Sequence, residues 1–392
     1  MKAKLATLLA LFLALGAAFA QTDKPLRIFL RAGPKTHGPD QHDGPHWLAD
    51  WKKLLPERGT VVNGKIGFPT AEELDNTDVL VMYSAEGGTI KPEDRANLDK
   101  FLKRGGGIVA MHDSVCGTDA QWFKTIIGGA WEHGYSKWYE GEFSFYYMDR
   151  EHPITRQASN FTLDDEMYYD LHMMPEAHVL AATYTPARPN NPRNRNQPSS
   201  GKPSVYDIQA QMWTYEKDNY RAFVSLLGHN FKTFQLPHVR AVLLRGIAWA
   251  GKRDINSLCS KEELASLRYP EGGPTVPEKS AAKLELHPDF NISLVASEPL
   301  INKAIALDWD PAGRLWVAET PEYPNGRKEP RPDLKNIGVW KDAGWRDHNL
   351  DRPVIDRISI LTDTDGDGRM TKRKFFIKAS SSSPASFFIG TE

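Results

Sequence analysis

The stretch Phe101-Leu102-Lys103-Arg104-Gly105-Gly106-Gly107-Ile108-Val109-Ala110-Met111-His112-Asp113-Ser114 decides the fold. Leu98, Phe101 and Leu102 recur at helical spacing, so the residues before the glycines form a helix with one apolar face. Gly105, Gly106 and Gly107 stop that helix, because glycine takes up the left-handed backbone of a helix end at little cost. They precede a strand instead of joining a strand to a helix, so they are a helix stop and not a phosphate cradle. Ile108 to Met111 is an apolar run of strand length. His112 and Asp113 follow at its carboxyl end, where open α/β sheets bind their ligands.

The same alternation continues on both sides. Leu26 to Leu30 reads as a first strand, and Trp47, Leu48, Trp51, Leu54 and Leu55 as a helix ended by Pro56 and Gly59. Val79 to Tyr83 is a strand, and Pro92 sits where a first helical turn tolerates proline. Trp122, Phe123, Ile126 and Ile127 mark a helix closed by Gly128 and Gly129. Alternating β/α units predict an α/β fold around a parallel sheet with helices on both faces. Gly141 to Met148 alternates like an exposed or edge strand, and Val179 to Ala182 and Ala222 to Leu227 are further strands. Pro186 to Pro203 reads as a long loop, and Val239 to Ala250 as the closing helix.

One α/β domain therefore spans 24–253, and 254–283 reads as a linker punctuated by Pro270, Gly272, Gly273, Pro274 and Pro277. Short strands with turn residues between them then follow at Ile292 to Val295, Ala304 to Asp310, Gly313 to Glu319 and Asp356 to Thr362. This spacing predicts an incomplete all-β propeller over 284–392.

A hydrophobic share of 40% and a charged share of 25% are ordinary globular composition, and 392 residues leave room for two cores. The net charge of -1 argues against nucleic acid or an anionic membrane as partner. Lys2 and Lys4, the apolar run Leu5 to Gly16 and the small residues of Ala18-Phe19-Ala20 predict a signal peptide over 1–20. The protein is thus expected to be exported, periplasmic or secreted. The apolar run is short for a bilayer span, and no membrane span is expected after cleavage. Two cysteines, Cys116 and Cys259, are too few for a disulfide framework.

Six ordered motifs resemble the ThuA-like (trehalose-utilisation) family: Phe101 to His112, Gly128 to His133, His152-Pro153-Ile154-Thr155, Asp165-Glu166-Met167-Tyr168, Leu227-Gly228-His229 and Leu243 to Ala250. The resemblance implies a flavodoxin-like fold related to class I glutamine amidotransferases, and a small-molecule carbohydrate, a disaccharide or keto-sugar, as ligand. A related amidotransferase would place a cysteine nucleophile at the strand-to-helix elbow. His112 stands there instead and Cys116 lies farther on, which argues against hydrolysis through a Cys–His pair and leaves Cys116 a minor route. The tail from Leu284 through Thr320 looks like the opening of a sorbosone- or glucose-dehydrogenase-like propeller, and the residues from Ser380 onward are expected to be the end of a truncated or frameshifted gene product.

Imidazole titrates near neutrality, so a histidine in a cleft can exchange a proton with a sugar oxygen. His112 is the first choice for that role, with Glu166, next to Asp165 and Tyr168, as its acid/base partner or as the group that orients it. His133 and His229 are brought near the same strand ends by the resemblance. Asp113, Trp131 and Tyr168 are the candidate substrate-binding residues. His37, His42 and His46, with Asp40 and Asp43 among them, are a candidate set for zinc or a similar divalent metal. They lie on a Gly- and Pro-containing loop, where spacing does not fix geometry. His152 before Pro153 suits a turn, and His172, His178 and His238 suit structural or surface roles. Asp363, Asp365 and Asp367 make the first half of a calcium loop, but Lys374 stands where the closing glutamate belongs. The rival to an enzyme is a non-catalytic sugar-binding module attached to a dehydrogenase-like propeller.

Overall fold

The computed structural model describes residues 24–184, 208–320 and 356–378. The expected signal peptide, the loop 186–203 and the end of the chain lie outside the described residues. Two compact units divide between Gly273 and Pro274.

The first unit opens with β1 (Arg27–Ala32), α1 (Gly44–Leu54), β2 (Val61–Ile66), α2 (Ala71–Asp75) and β3 (Val79–Tyr83). It continues through α3 (Pro92–Lys103), β4 (Gly107–Met111), α4 (Ala120–Ile127) and the short β5 (Gly129–Ala130). Then come β6 (Lys137–Tyr147), β7 (Phe161–Tyr169), the short β8 (His172–Met173), β9 (His178–Tyr184), β10 (Ile208–Lys217) and β11 (Tyr220–Ser225). Helices α5 (Pro237–Ala250) and α6 (Lys261–Ser266) close it.

Nine strands form one sheet in the order β2-β1-β3-β4-β11-β10-β9-β6-β7. The pairings from β2 to β11 are parallel, and those from β11 to β7 are antiparallel. The sheet is therefore mixed: its parallel half has the flavodoxin-like order, with β11 in fifth place, and a broad antiparallel extension is added to it. β3 and β4 are buried along their whole length, as expected of strands covered on both faces. One core lies between the sheet and α1 and α5, holding Trp47, Trp51, Leu243 and Ile247. The other lies under α3 and α4, holding Phe101, Leu102, Phe123 and Ile127. Register puts Ala32, Tyr83, Met111 and Ser225 side by side, so the loops after β1, β3, β4 and β11 leave from one level rim.

Residues 254–273, read from sequence as linker, are packed into the first unit. Leu258 and Leu267 are buried in its core. A capping box between Ser260 and Glu263 starts α6, and Glu263 also pairs with Arg58 at 3.2 Å. Thr162 N donates to Gly272 O at 3.0 Å. The Pro and Gly signals mark turns of a strap laid along the domain, and connector character begins after Gly273.

The second unit contains α7 (Pro277–Ser280) and one antiparallel sheet, β12 (Ala304–Trp309), β13 (Leu315–Glu319), β14 (Arg357–Thr362) and β15 (Lys372–Lys378), paired in sequential order. Leu315, Val317, Leu361 and Met370 form its small core. Glu319 is buried there, held by Arg357 at 2.8 Å and by the Ser359 hydroxyl. Among the described residues this is one meander sheet.

Candidate functional site

Three loops of the rim each deliver a histidine. His112 is the first residue after β4 and has φ 48°. A left-handed backbone there costs about 1–3 kcal/mol for a non-glycine residue, and it swings the imidazole across the strand ends. Its Nδ1 lies 2.8 Å from Leu226 O. His42, at φ 45°, sits on the loop after β1. That loop folds back so tightly that a Cβ on Gly44 would come within 2.1 Å of Gly33 O. His229 follows Gly228, whose φ is 123° and where a Cβ would strike the Phe234 ring at 2.4 Å. The buried Asp165 carboxylate accepts from Gly228 N at 2.9 Å and Asn230 N at 3.0 Å, and His42 N donates to His229 O at 3.0 Å. The fourth member, Glu166, comes from β7 on the antiparallel side.

The four side chains meet. His42 Nε2 is 2.9 Å from both His112 Nε2 and His229 Nδ1. Glu166 Oε2 is 3.3 Å from His112 Nε2 and 3.1 Å from His229 Nδ1. One donor atom from each residue lies within 4.8 Å of all the others. All four residues are buried. Their outward nitrogens face acceptors: Asp113 Oδ2 lies 3.4 Å from His42 Nδ1, and Glu140 Oε1 lies 3.6 Å from His229 Nε2. Tyr168 stacks on His112 with ring centroids 4.9 Å apart, its hydroxyl 3.2 Å from Nε2.

Electrostatics divide the histidines. Burial, together with His112 and His229 nearby, pushes His42 down to about 4 against the pull of Asp113. Burial also opposes charge on His112, yet Glu166 hydrogen-bonded to it raises it overall. Glu166 is held well below the usual carboxylate range, because His112 and His229 outweigh its desolvation.

Residues 57–250 match the family model described as ThuA, trehalose utilisation. The first unit is ThuA-like. That description ties the matched segment to carbohydrate metabolism. Residues 276–388 match a domain of unknown function, DUF7133. A solved ThuA-like protein of Parabacteroides merdae is 18% identical, covering 58% of this chain and 90% of its own, with a TM-score of 0.43. One from Bacteroides uniformis is 18% identical, covering 64% of this chain and 100% of its own, also at 0.43. No curated protein matches.

In the ThuA-like unit, His112, Glu166 and His229 from the catalytic set come together, and His133 does not. His133 is exposed and pairs with Glu86 at 2.6 Å. Of the metal set only His42 joins the four. The His37 ring lies 4.0 Å from that of His42 but is exposed, and His46 stacks on Phe231 at 3.7 Å. Asp113 stands behind His42, and Trp131 packs on Tyr168 with ring centroids 4.7 Å apart. Burial and the neighbouring Asp113 push the Cys116 thiol well up, which keeps it protonated and a poor nucleophile. His152 Nδ1 accepts from Ile154 N at 3.2 Å, a turn contact. Sequence reasoning missed Glu140 and the anchoring role of Asp165. The available signal for Glu140 was only its place in the alternating strand β6; the register of β6 against β7 sets it directly across from Glu166.

Proposed function

We propose that the ThuA-like unit converts a small carbohydrate, a disaccharide or keto-sugar, by moving a proton between a sugar oxygen and the cluster at the strand ends. The observation that carries this reading is the convergence of His42, His112, His229 and Glu166 from four distant segments onto one point of the rim. The family description supports a sugar as the substrate. His112 and Glu166, 3.3 Å apart, are the acid/base pair, with His229 beside them. Tyr168 and Asp113 orient that pair. The Trp131 indole N–H is buried with no protein acceptor in reach, a donor suited to a sugar hydroxyl. The first twenty residues support an exported setting, periplasmic or secreted.

The test is a turnover screen of disaccharides and their keto forms with the purified chain. His112→Ala is expected to lower turnover at least about 100-fold while sugar binding persists, the low end of what a general acid or base contributes. Turnover unchanged in His112→Ala would remove the proposal. The burial of all four side chains favours a second reading, a binding module without turnover. A chain that binds a sugar from the panel and converts none supports it. The second unit is proposed as the opening of a dehydrogenase-like propeller, supported by its sequential antiparallel sheet.

A further inference from the structure

We propose that His42, His112, His229 and Glu166 bind one divalent first-row transition cation. Four donor atoms around such an ion, each about 2.0–2.2 Å from it, stand about 3.3 Å apart in a tetrahedron and about 3.0 Å apart at right angles. Four of the six separations among the donor atoms fall between 2.9 and 3.3 Å, and all lie within 4.8 Å.

The orientation of the rings carries the argument further. Leu226 O can only accept, so His112 Nδ1 bears a hydrogen, and loss of the proton that Nε2 shares with Glu166 turns a lone pair inward at Nε2. The Asp113 and Glu140 carboxylates lie 3.4 and 3.6 Å from the outward nitrogens of His42 and His229, neither of which is hydrogen-bonded, and a small shift would let each accept from them and leave the inward lone pairs for an ion. Three imidazoles and a carboxylate aimed at one point need something positive among them, either protons shared with Glu166 or a cation in their place. A proton on His42 Nε2 could sit in line with one of its two 2.9 Å contacts, leaving the other nitrogen pair facing without a hydrogen. A cation serves all four donors at once. Three imidazoles and one carboxylate are a donor set for zinc, manganese, iron or cobalt, not for calcium or magnesium. The histidines also have outer neighbours: Leu226 O and Tyr168 within hydrogen-bond distance of His112, Asp113 at 3.4 Å from His42, and the Asp165-anchored loop that carries His229.

This inference deepens the proposed function, and its sugar ligand rests on that reading. With His112 and Glu166 engaged as ligands, the acid/base role given to that pair would be taken over by the Tyr168 hydroxyl, 3.2 Å from His112 Nε2. The cation would polarise the sugar carbonyl or hydroxyl oxygen that the Trp131 indole helps to hold.

The experiment uses the full chain, stripped with a chelator and titrated with Zn²⁺ and Co²⁺ in the absence of sugar. Calorimetry is expected to show one saturable site per chain, and X-ray absorption of the zinc form an imidazole-rich shell. Glu166→Gln and His42→Gln are expected to weaken binding more than about 100-fold, since loss of an outer support alone costs 10–100-fold. Asp363→Asn should leave binding intact. No saturable site in the unaltered chain, or a zinc shell of oxygens alone, overturns the proposal even if the variants fail to fold. Sugar turnover is measured separately. Full turnover by the metal-free chain overturns the cation's part in the chemistry and leaves the binding result to decide the centre. An ion held by these four residues with no sugar converted upholds the centre and overturns the function.

Discussion

Two groups of side chains in this molecule could gather around a cation, and they are built in opposite ways. At the rim of the first unit, His42, His112, Glu166 and His229 are buried and come from four segments far apart in the chain. In the second unit, Asp363, Asp365 and Asp367 stand on one turn and are largely open to solvent. The Asp363 carboxylate is already engaged by its own turn, accepting from Gly366 N at 2.7 Å and Gly368 N at 2.8 Å. Charge that water and local amides can satisfy needs no ion. The rim donors are shut off from water and turned largely toward one another, and the fold holds two of their backbones in the left-handed region to bring them together. Long-range convergence under cost is the stronger mark of function.

The contrast can be broken most directly at Asp165. Like Asp363 it is an aspartate accepting backbone N–H groups, but it is fully buried and supports the loop that carries His229. Asp165→Asn turns an amide NH₂ toward one of those donors and strands it without an acceptor. It is expected to destabilise the first unit by about 3 kcal/mol, the top of the range for an unsatisfied buried group. Denaturant unfolding checks this, and a loss below about 1 kcal/mol would mean that the loop is held by other contacts.

Acid sharpens the comparison next. His238 is buried at the start of α5, edge-on to Phe161 at 4.6 Å, and burial pushes it down to about 4. The unfolded chain takes up the proton near 6.5, and the folded chain resists it until about 4. The unfolded state therefore binds more protons in that window, so stability rises with pH. The contribution is complete above about 6.5 and is lost as pH falls toward 4, at most about 3 kcal/mol. Unfolding midpoints of His238→Leu should show a flatter slope between those values than the unaltered chain.

The parallel half of the sheet was legible because its strands are apolar runs separated by helices with clear periodicity and stops. Val79–Tyr83 and Gly107–Met111 carry that pattern almost without noise. The rim could be located for the same reason, since His112 directly follows such a strand. The loop after β1 was harder. His37, His42 and His46 look equivalent in sequence, but the turn forced by Gly33 and Gly44 directs only His42 inward. The hairpin of β6 and β7 hid Glu140, because its partner across the strands depends on register and not on spacing. The strap 254–273 was misread because the same Pro and Gly residues that punctuate a linker also punctuate a packed turn.

The smallest effect is expected at Asp363, and it is the one that most isolates burial as the cause. Asp363→Asn makes the same chemical change as Asp165→Asn, and both carboxylates accept from backbone amides two or more residues away. The turn hydrogen bonds hold Asp363 below the usual carboxylate range, yet solvent reaches the group and can replace what the amide gives up. The thermal unfolding profile of the chain is therefore expected to keep its midpoint. A clear fall would mean that the acidic turn is fixed by more than its own backbone, and would bring it closer in kind to the rim.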